Sequence, residues 1–234
     1  MNPRFAAIAS DPRLIPGVHH YCDEWCAYCD VTSRCLAFRC TEDWRRQRKR
    51  TADDPPFATR DEAIAFTRQL AEAEGGSTEE LDALIGAPPG QSEIRTADPL
   101  ADMAWTYAKG VAALLARLAR DPPYDAVAGD PPPLDVVIWF HLRIYMKLFR
   151  ALVARERTAA GTSDRREEAA GCAKVALVSI QRSRAALPML VTGRTAIEVT
   201  RLEALLAGLE AGIDDRFPQA RTFVRVGLDV KVAA

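Results

Sequence analysis

Five of the chain's six cysteines fall in one stretch, His19 to Cys40, at Cys22, Cys26, Cys29, Cys35 and Cys40. The first four follow the spacing Cys-x3-Cys-x2-Cys-x5-Cys. Four thiolates this close in sequence match the ligand count of a tetrahedral zinc ion or of a [4Fe–4S] cluster. Asp23, Glu24, Asp30 and Arg34 are interleaved with them, so the stretch is not an apolar run in which thiols serve as packing. Structural zinc sites mostly use two separated Cys-x2-Cys knuckles, and only one, Cys26 to Cys29, is present. An iron–sulfur cube accepts ligands strung along one wrapped segment, so the spacing favours a [4Fe–4S] cluster over zinc, with Cys22, Cys26, Cys29 and Cys35 as ligands. His19 and His20 keep a mixed Cys/His zinc site open.

Cys22, Cys26 and Cys29 share the Cys-x3-Cys-x2-Cys spacing of the radical S-adenosylmethionine enzymes. Those enzymes resemble partial or full (β/α) barrels in which the motif follows a strand. Here no strand pattern precedes the motif and no series of parallel strands follows, so the spacing lacks its structural context. Phosphate-binding glycine loops and the Gly-x-Ser-x-Gly nucleophile turn are absent. No Glu-x-x-His pair supports a di-iron bundle either. His141 falls in the most apolar helix, so a buried, neutral imidazole is expected there, with Glu198 as the best-placed acid. An iron–sulfur cluster beside that region would make a redox or metal-dependent enzyme, the alternative to a metal-tied scaffold. Lys174, Gln181, Arg182, Arg184 and Arg201 could surround an anion, although solvated helix faces account for them better.

The elements that must position these residues are helical. Pro3, Pro12, Pro16 and Gly17 point to an extended arm over residues 1–18, followed by a helix over Arg34 to Arg50 that ends in a basic run. Thr59 and Glu62 form a capping box, and that helix stops at Gly75-Gly76. Ser77 and Glu80 form a second box for a short helix ending at Gly86, and Pro88 to Ser92 is linker. Asp98-Pro99 opens a helix to about Asp121, and a loop from Gly129 to Pro133 leads into a helix over Leu134 to Arg155. There Arg143, Lys147 and Arg150 share one stripe opposite His141. A loop between Arg157 and Glu168 precedes a helix from Arg166 to Leu190, with Cys172, Ala176, Ser179, Ser183 and Ala186 on one side. A last helix covers Thr195 to Ile213. From Val224 to Val232 the residues alternate as in a strand.

The reading is therefore an all-α protein in three parts. Residues 1–58 form a cysteine-rich metal-binding arm, 59–97 peripheral short helices and linker, and 98–234 a helical bundle with an extended C-terminal tail. The unpaired strand pattern in that tail suggests a protein partner or self-association. A net charge of −1 argues against nucleic acid as a partner. The most apolar stretch, Val136 to Val153, carries too many cations to span a membrane. No export signal is evident at the start, which points to the cytoplasm, where thiols stay reduced and clustered cysteines bind metal more readily than they pair.

Overall fold

The computed structural model describes residues 2–51, 53–76, 78, 98–120, 131–158 and 163–230, and these form an all-α protein. The chain divides into two compact units. The first draws on Met1–His19, Cys26–Gln91 and Arg225–Ala234, and the second on His20–Trp25 and Ser92–Val224.

The first unit contains α1 (Pro3–Ala9), α2 (Leu36–Gln47) and α3 (Arg60–Ala73). Its N-terminus was expected to be extended, but Pro3 stands at the first position of α1. There a missing N–H is harmless, and the preset φ of proline suits a helix. Asn2 caps it by accepting from the Arg4 amide at 3.0 Å. Phe5, Leu36, Cys40, Trp44 and Phe66 form the core, with Phe66 edge-on to both Trp44 and Phe5 at 5.5 Å. Full burial of such rings, at about 1.5–3 kcal/mol each, lets three short helices hold together. Thr59 caps α3 as its sequence announces, accepting from the Glu62 amide at 3.2 Å. The Glu62 carboxylate reaches one residue further back than a capping box requires, to the amide of Ala58 at 2.7 Å. The proposed box at Ser77, the helix to Gly86 and the linker to Ser92 lie outside the described residues.

The second unit is a four-helix bundle of α4 (Pro99–Arg120), α5 (Pro133–Thr158), α6 (Ser163–Ala186) and α7 (Ala196–Arg216). Each helix packs on the next, and α4 closes against α7. Asp98 caps α4 through the Leu100 amide at 2.8 Å. The α4–α7 seam is antiparallel and built on glycine: a Cβ on Gly212 would sit 2.5 Å from Leu100, and one on Gly110 would sit 2.8 Å from Leu202. Along α6, Cys172, Ala176, Ser179, Ser183 and Ala186 are all buried, so the small-residue face admits its neighbours closely, as the sequence indicates.

Further expectations fail. The C-terminal alternation does not make a strand among the described residues; Val226 and Val230 form only an isolated bridge. The chain turns at Gly227, whose φ of +85° suits glycine, and Asp229 holds the turn with a 2.7 Å ion pair to Arg225. His141 is not fully buried. It is part-buried at the edge of the inward arc of α5, bonded through Nδ1 to the Ile138 carbonyl at 2.7 Å. The inward arc carries Val137, Phe140, Ile144, Leu148 and Ala151, bordered by the basic stripe expected to face away. Glu198 pairs with Arg117 at 2.8 Å instead.

Candidate metal centre

The cysteine stretch is split between the two units. His20 to Trp25 belongs to the bundle and is held there at several points. Trp25 stacks on Trp139, with centroids 6.0 Å apart, and meets Phe140 edge-on at 5.2 Å. The Asp23 carbonyl accepts from the Trp139 indole at 3.1 Å, and its carboxylate pairs with Arg182 at 2.7 Å. Glu24 binds Lys147 at 2.9 Å and also pairs with Arg143. It does so from a left-handed backbone with φ of +58°, a conformation that costs a non-glycine residue about 1–2 kcal/mol. Tyr21 packs edge-on to Phe223, over Gly171. Cys22 lies within this clasp and is half-buried.

Cys26, Cys29, Cys35 and Cys40 belong to the first unit, together with His19. Cys26 is exposed and starts a single 3-10 turn, closed by the Cys29 amide on the Cys26 carbonyl at 3.3 Å. A second such turn, Thr32–Arg34, delivers Cys35 to the N-terminus of α2. The Ile15 amide donates to the Arg34 carbonyl at 2.9 Å and fixes the approach of the preceding chain. Burial pushes the Cys35 thiol up; the amides of Phe38 and Ala37 at the helix start pull against it, and Cys29 and Glu74 push it further up. A helix N-terminus is a favourable place for a thiolate, and nearby negative charge an unfavourable one unless a cation joins it. Cys40 differs. It is fully buried among the aromatic rings, and burial with the nearby Asp43 carboxylate pushes its thiol up to about 12. That marks it as a packing residue.

Glu74 is the member that sequence reading missed. It ends α3 just before Gly75, whose φ is +78°, and its Oε1 lies 3.1 Å from His19 Nε2. A carboxylate at the negative end of a helix dipole is misplaced for stability, and that mismatch was a legible signal. His19, Cys29, Cys35 and Glu74 therefore share one region of the first unit. No three of the thiol sulfurs of Cys26, Cys29, Cys35 and Cys40 lie within 4.8 Å of one another. Cys172 belongs to the second unit and is buried in the bundle on α6.

The other candidate sites are internally paired. Arg48 lies over the Trp44 ring at 3.3 Å and pairs with Glu62, and Arg50 pairs with Glu62 at 2.8 Å. Hydrogen bonds from Arg50 and from the Ala58 amide hold the Glu62 carboxyl at about 2. In the bundle, Arg182 goes to Asp23, Arg184 to Glu210 at 2.5 Å and Lys174 to the Arg221 carbonyl at 3.0 Å. Arg182, Arg184 and Lys174 thus find their partners within their own unit. Among the described residues no helix is long and apolar enough to cross a membrane. No protein-family model, curated protein or solved structure matches this chain.

Proposed function

We propose that this is a metal-binding protein whose cysteine stretch holds a [4Fe–4S] cluster, in preference to zinc, through Cys26, Cys29 and Cys35, with Cys22 as the fourth ligand from its sequence spacing. The observation that carries the reading is the convergence of ionisable groups around Cys35. A buried thiol at a helix start has a second thiol and a carboxylate within electrostatic reach. Like charges gathered in this way are costly alone and favourable around a cation. The single Cys-x2-Cys knuckle favours the cluster over zinc. Four sulfurs on one zinc, at bonds of about 2.3 Å, stand only about 3.8 Å apart, whereas sulfurs on different irons stand wider.

The role assigned to the metal is structural. It would hold the turns from Cys26 to Cys35 in place, so that binding energy doubles as folding energy for the first unit. The enzymatic alternative called for a fully buried His141, and that imidazole is only part-buried, bonded to the Ile138 carbonyl, so the structural role is the one we favour. A reducing compartment such as the cytoplasm suits free thiols of this kind.

The test is elemental analysis and visible absorption of the protein purified without oxygen. Iron and acid-labile sulfide in near-equal amounts, with a charge-transfer band that Cys26→Ser abolishes, is the expected result. Stoichiometric zinc in a colourless protein would replace the cluster. A Cys26→Ser variant with an undiminished metal complement would refute the ligand set.

A further inference from the structure

The outer face of α5 is apolar where a bundle helix should be polar. Ile138, Leu142 and Met146 are 46%, 44% and 56% exposed, and they follow one another at four-residue spacing along a single ridge. Asp135 and Arg150, both exposed, stand at the two ends of the same stripe. Half-buried aromatic residues border it: Trp105 on α4 lies 5.1 Å from Tyr145, and Tyr145 stacks on Phe149 at 5.9 Å. Helices apolar around their full circumference belong in a core, and exposed apolar ridges edged by aromatic residues are typical of binding surfaces.

We infer that this face pairs with its own copy, α5 against α5 in antiparallel orientation, about a two-fold axis at Leu142. The stripe is self-complementary in the way such an axis requires. Turning it end for end places Leu142 on Leu142, Ile138 on Met146, and the carboxylate of Asp135 beside the guanidinium of Arg150. A parallel copy would instead set Asp135 against Asp135 and Arg150 against Arg150. The charged ends lie seven or eight residues from the axis, about 12 Å along the helix. At the shallow crossing of roughly 20° that common helix pairs adopt, the ends separate sideways by only about 4 Å, within reach of both side chains. Arg150 also bonds Glu168 at 2.7 Å on its own helix pair, yet its side chain remains 53% exposed and can meet a second carboxylate. The inference is independent of the metal site, since every residue it uses lies in the bundle.

Sedimentation of the full chain over a range of concentrations tests it. The expected species has twice the 25.7 kDa mass of the chain. Leu142→Glu puts like charges on the axis and should raise the dissociation constant at least tenfold; because Leu142 is half exposed, the helical circular dichroism should stay unchanged. Leu142→Cys should add an oxidised dimer absent from wild type, whereas Ile138→Cys should do so only when combined with Met146→Cys. A wild-type chain that stays monomeric throughout, or a dimer that survives Leu142→Glu, overturns the proposal. Ile138→Cys crosslinking to itself would also overturn it, because that requires a parallel or shifted pairing.

Discussion

Lys147 is 5% exposed inside the bundle and meets the Glu24 carboxylate, which it shares with Arg143, at 2.9 Å. Replacing Glu24 with glutamine keeps the size and an acceptor but deletes the charge, and two neighbouring cations lose their common anion. Removing one partner of a fully buried pair costs about 3–5 kcal/mol. The Glu24 side chain is 49% exposed, so water screens part of this, and about 2 kcal/mol is expected. In a bundle of this size that corresponds to a fall of roughly 4–8 °C in unfolding temperature. Urea unfolding followed by helical circular dichroism and by the fluorescence of the stacked Trp25 and Trp139 should show it.

The pH dependence gives a second reading of the same interaction. Burial works against the charge of Glu24, but Lys147 and Arg143 outweigh it and leave the carboxyl below its ordinary value of 4.5. The sign follows. A depressed folded-state value gives stability that is fully present above the unfolded value and is lost as pH falls through the folded one. Glu24→Gln should therefore flatten the bundle's acid limb below about pH 4.5. Removing both charges, with Glu24→Gln and Lys147→Met together, should recover most of the loss, since an apolar replacement of a buried pair is often neutral. Because Glu24 has φ of +58°, Glu24→Gly should be more stable than Glu24→Ala by about 1 kcal/mol. A Glu24→Gln protein within about 0.5 kcal/mol of wild type would refute the account of Lys147.

Gly227→Ala should destabilise the first unit by about 1–3 kcal/mol, because φ is +85° and the new Cβ would lie 2.5 Å from Ile15 Cδ1; unchanged thermal unfolding would show that the turn is not needed. Tyr107 is fully buried, and burial pushes its phenol up to about 12 while the neighbouring Ser183 hydroxyl pulls it back. Tyr107→Phe removes the hydroxyl beside that of the buried Ser183 and should cost about 1 kcal/mol, whereas Tyr107→Phe with Ser183→Ala should recover it; no loss in the single variant would show that the two hydroxyls do not bond. Cys172→Ala should leave metal content unchanged, and loss of metal from that variant would bring Cys172 into the ligand set.

Local chemistry was legible wherever one residue type sufficed. Thr59 and Asp98 read as caps and are caps, and the small residues from Cys172 to Ala186 read as a packing face and are buried. Errors arose where one residue admits two meanings. Pro3 breaks a helix from within but starts one from its first position, and only the cap at Asn2 distinguishes the cases. On α5 the sequence gives the angles between side chains, not which arc faces the core. Apolar residues occupy nearly every direction, so the basic stripe looked like the solvent side. Lys147 is buried because Glu24 waits for it, and a partner so distant along the chain leaves no periodic trace.

That partner also changes what the cysteine stretch can offer a metal. Asp23 and Glu24, read beside Cys22 and Cys26, look like part of one polar, ligand-rich segment. In the fold they belong with Arg182, Arg143 and Lys147, and Trp25 turns its ring onto Trp139 and Phe140. Their carboxylates serve the bundle, and recruiting Glu24 to a metal would leave the buried Lys147 without its counter-charge. The donors left for a metal in the first unit are the thiols of Cys26, Cys29 and Cys35, together with His19 and Glu74, which already meet at 3.1 Å. A centre poor in carboxylate and rich in thiolate selects soft or borderline metals such as iron in a cluster or zinc, and disfavours calcium and magnesium.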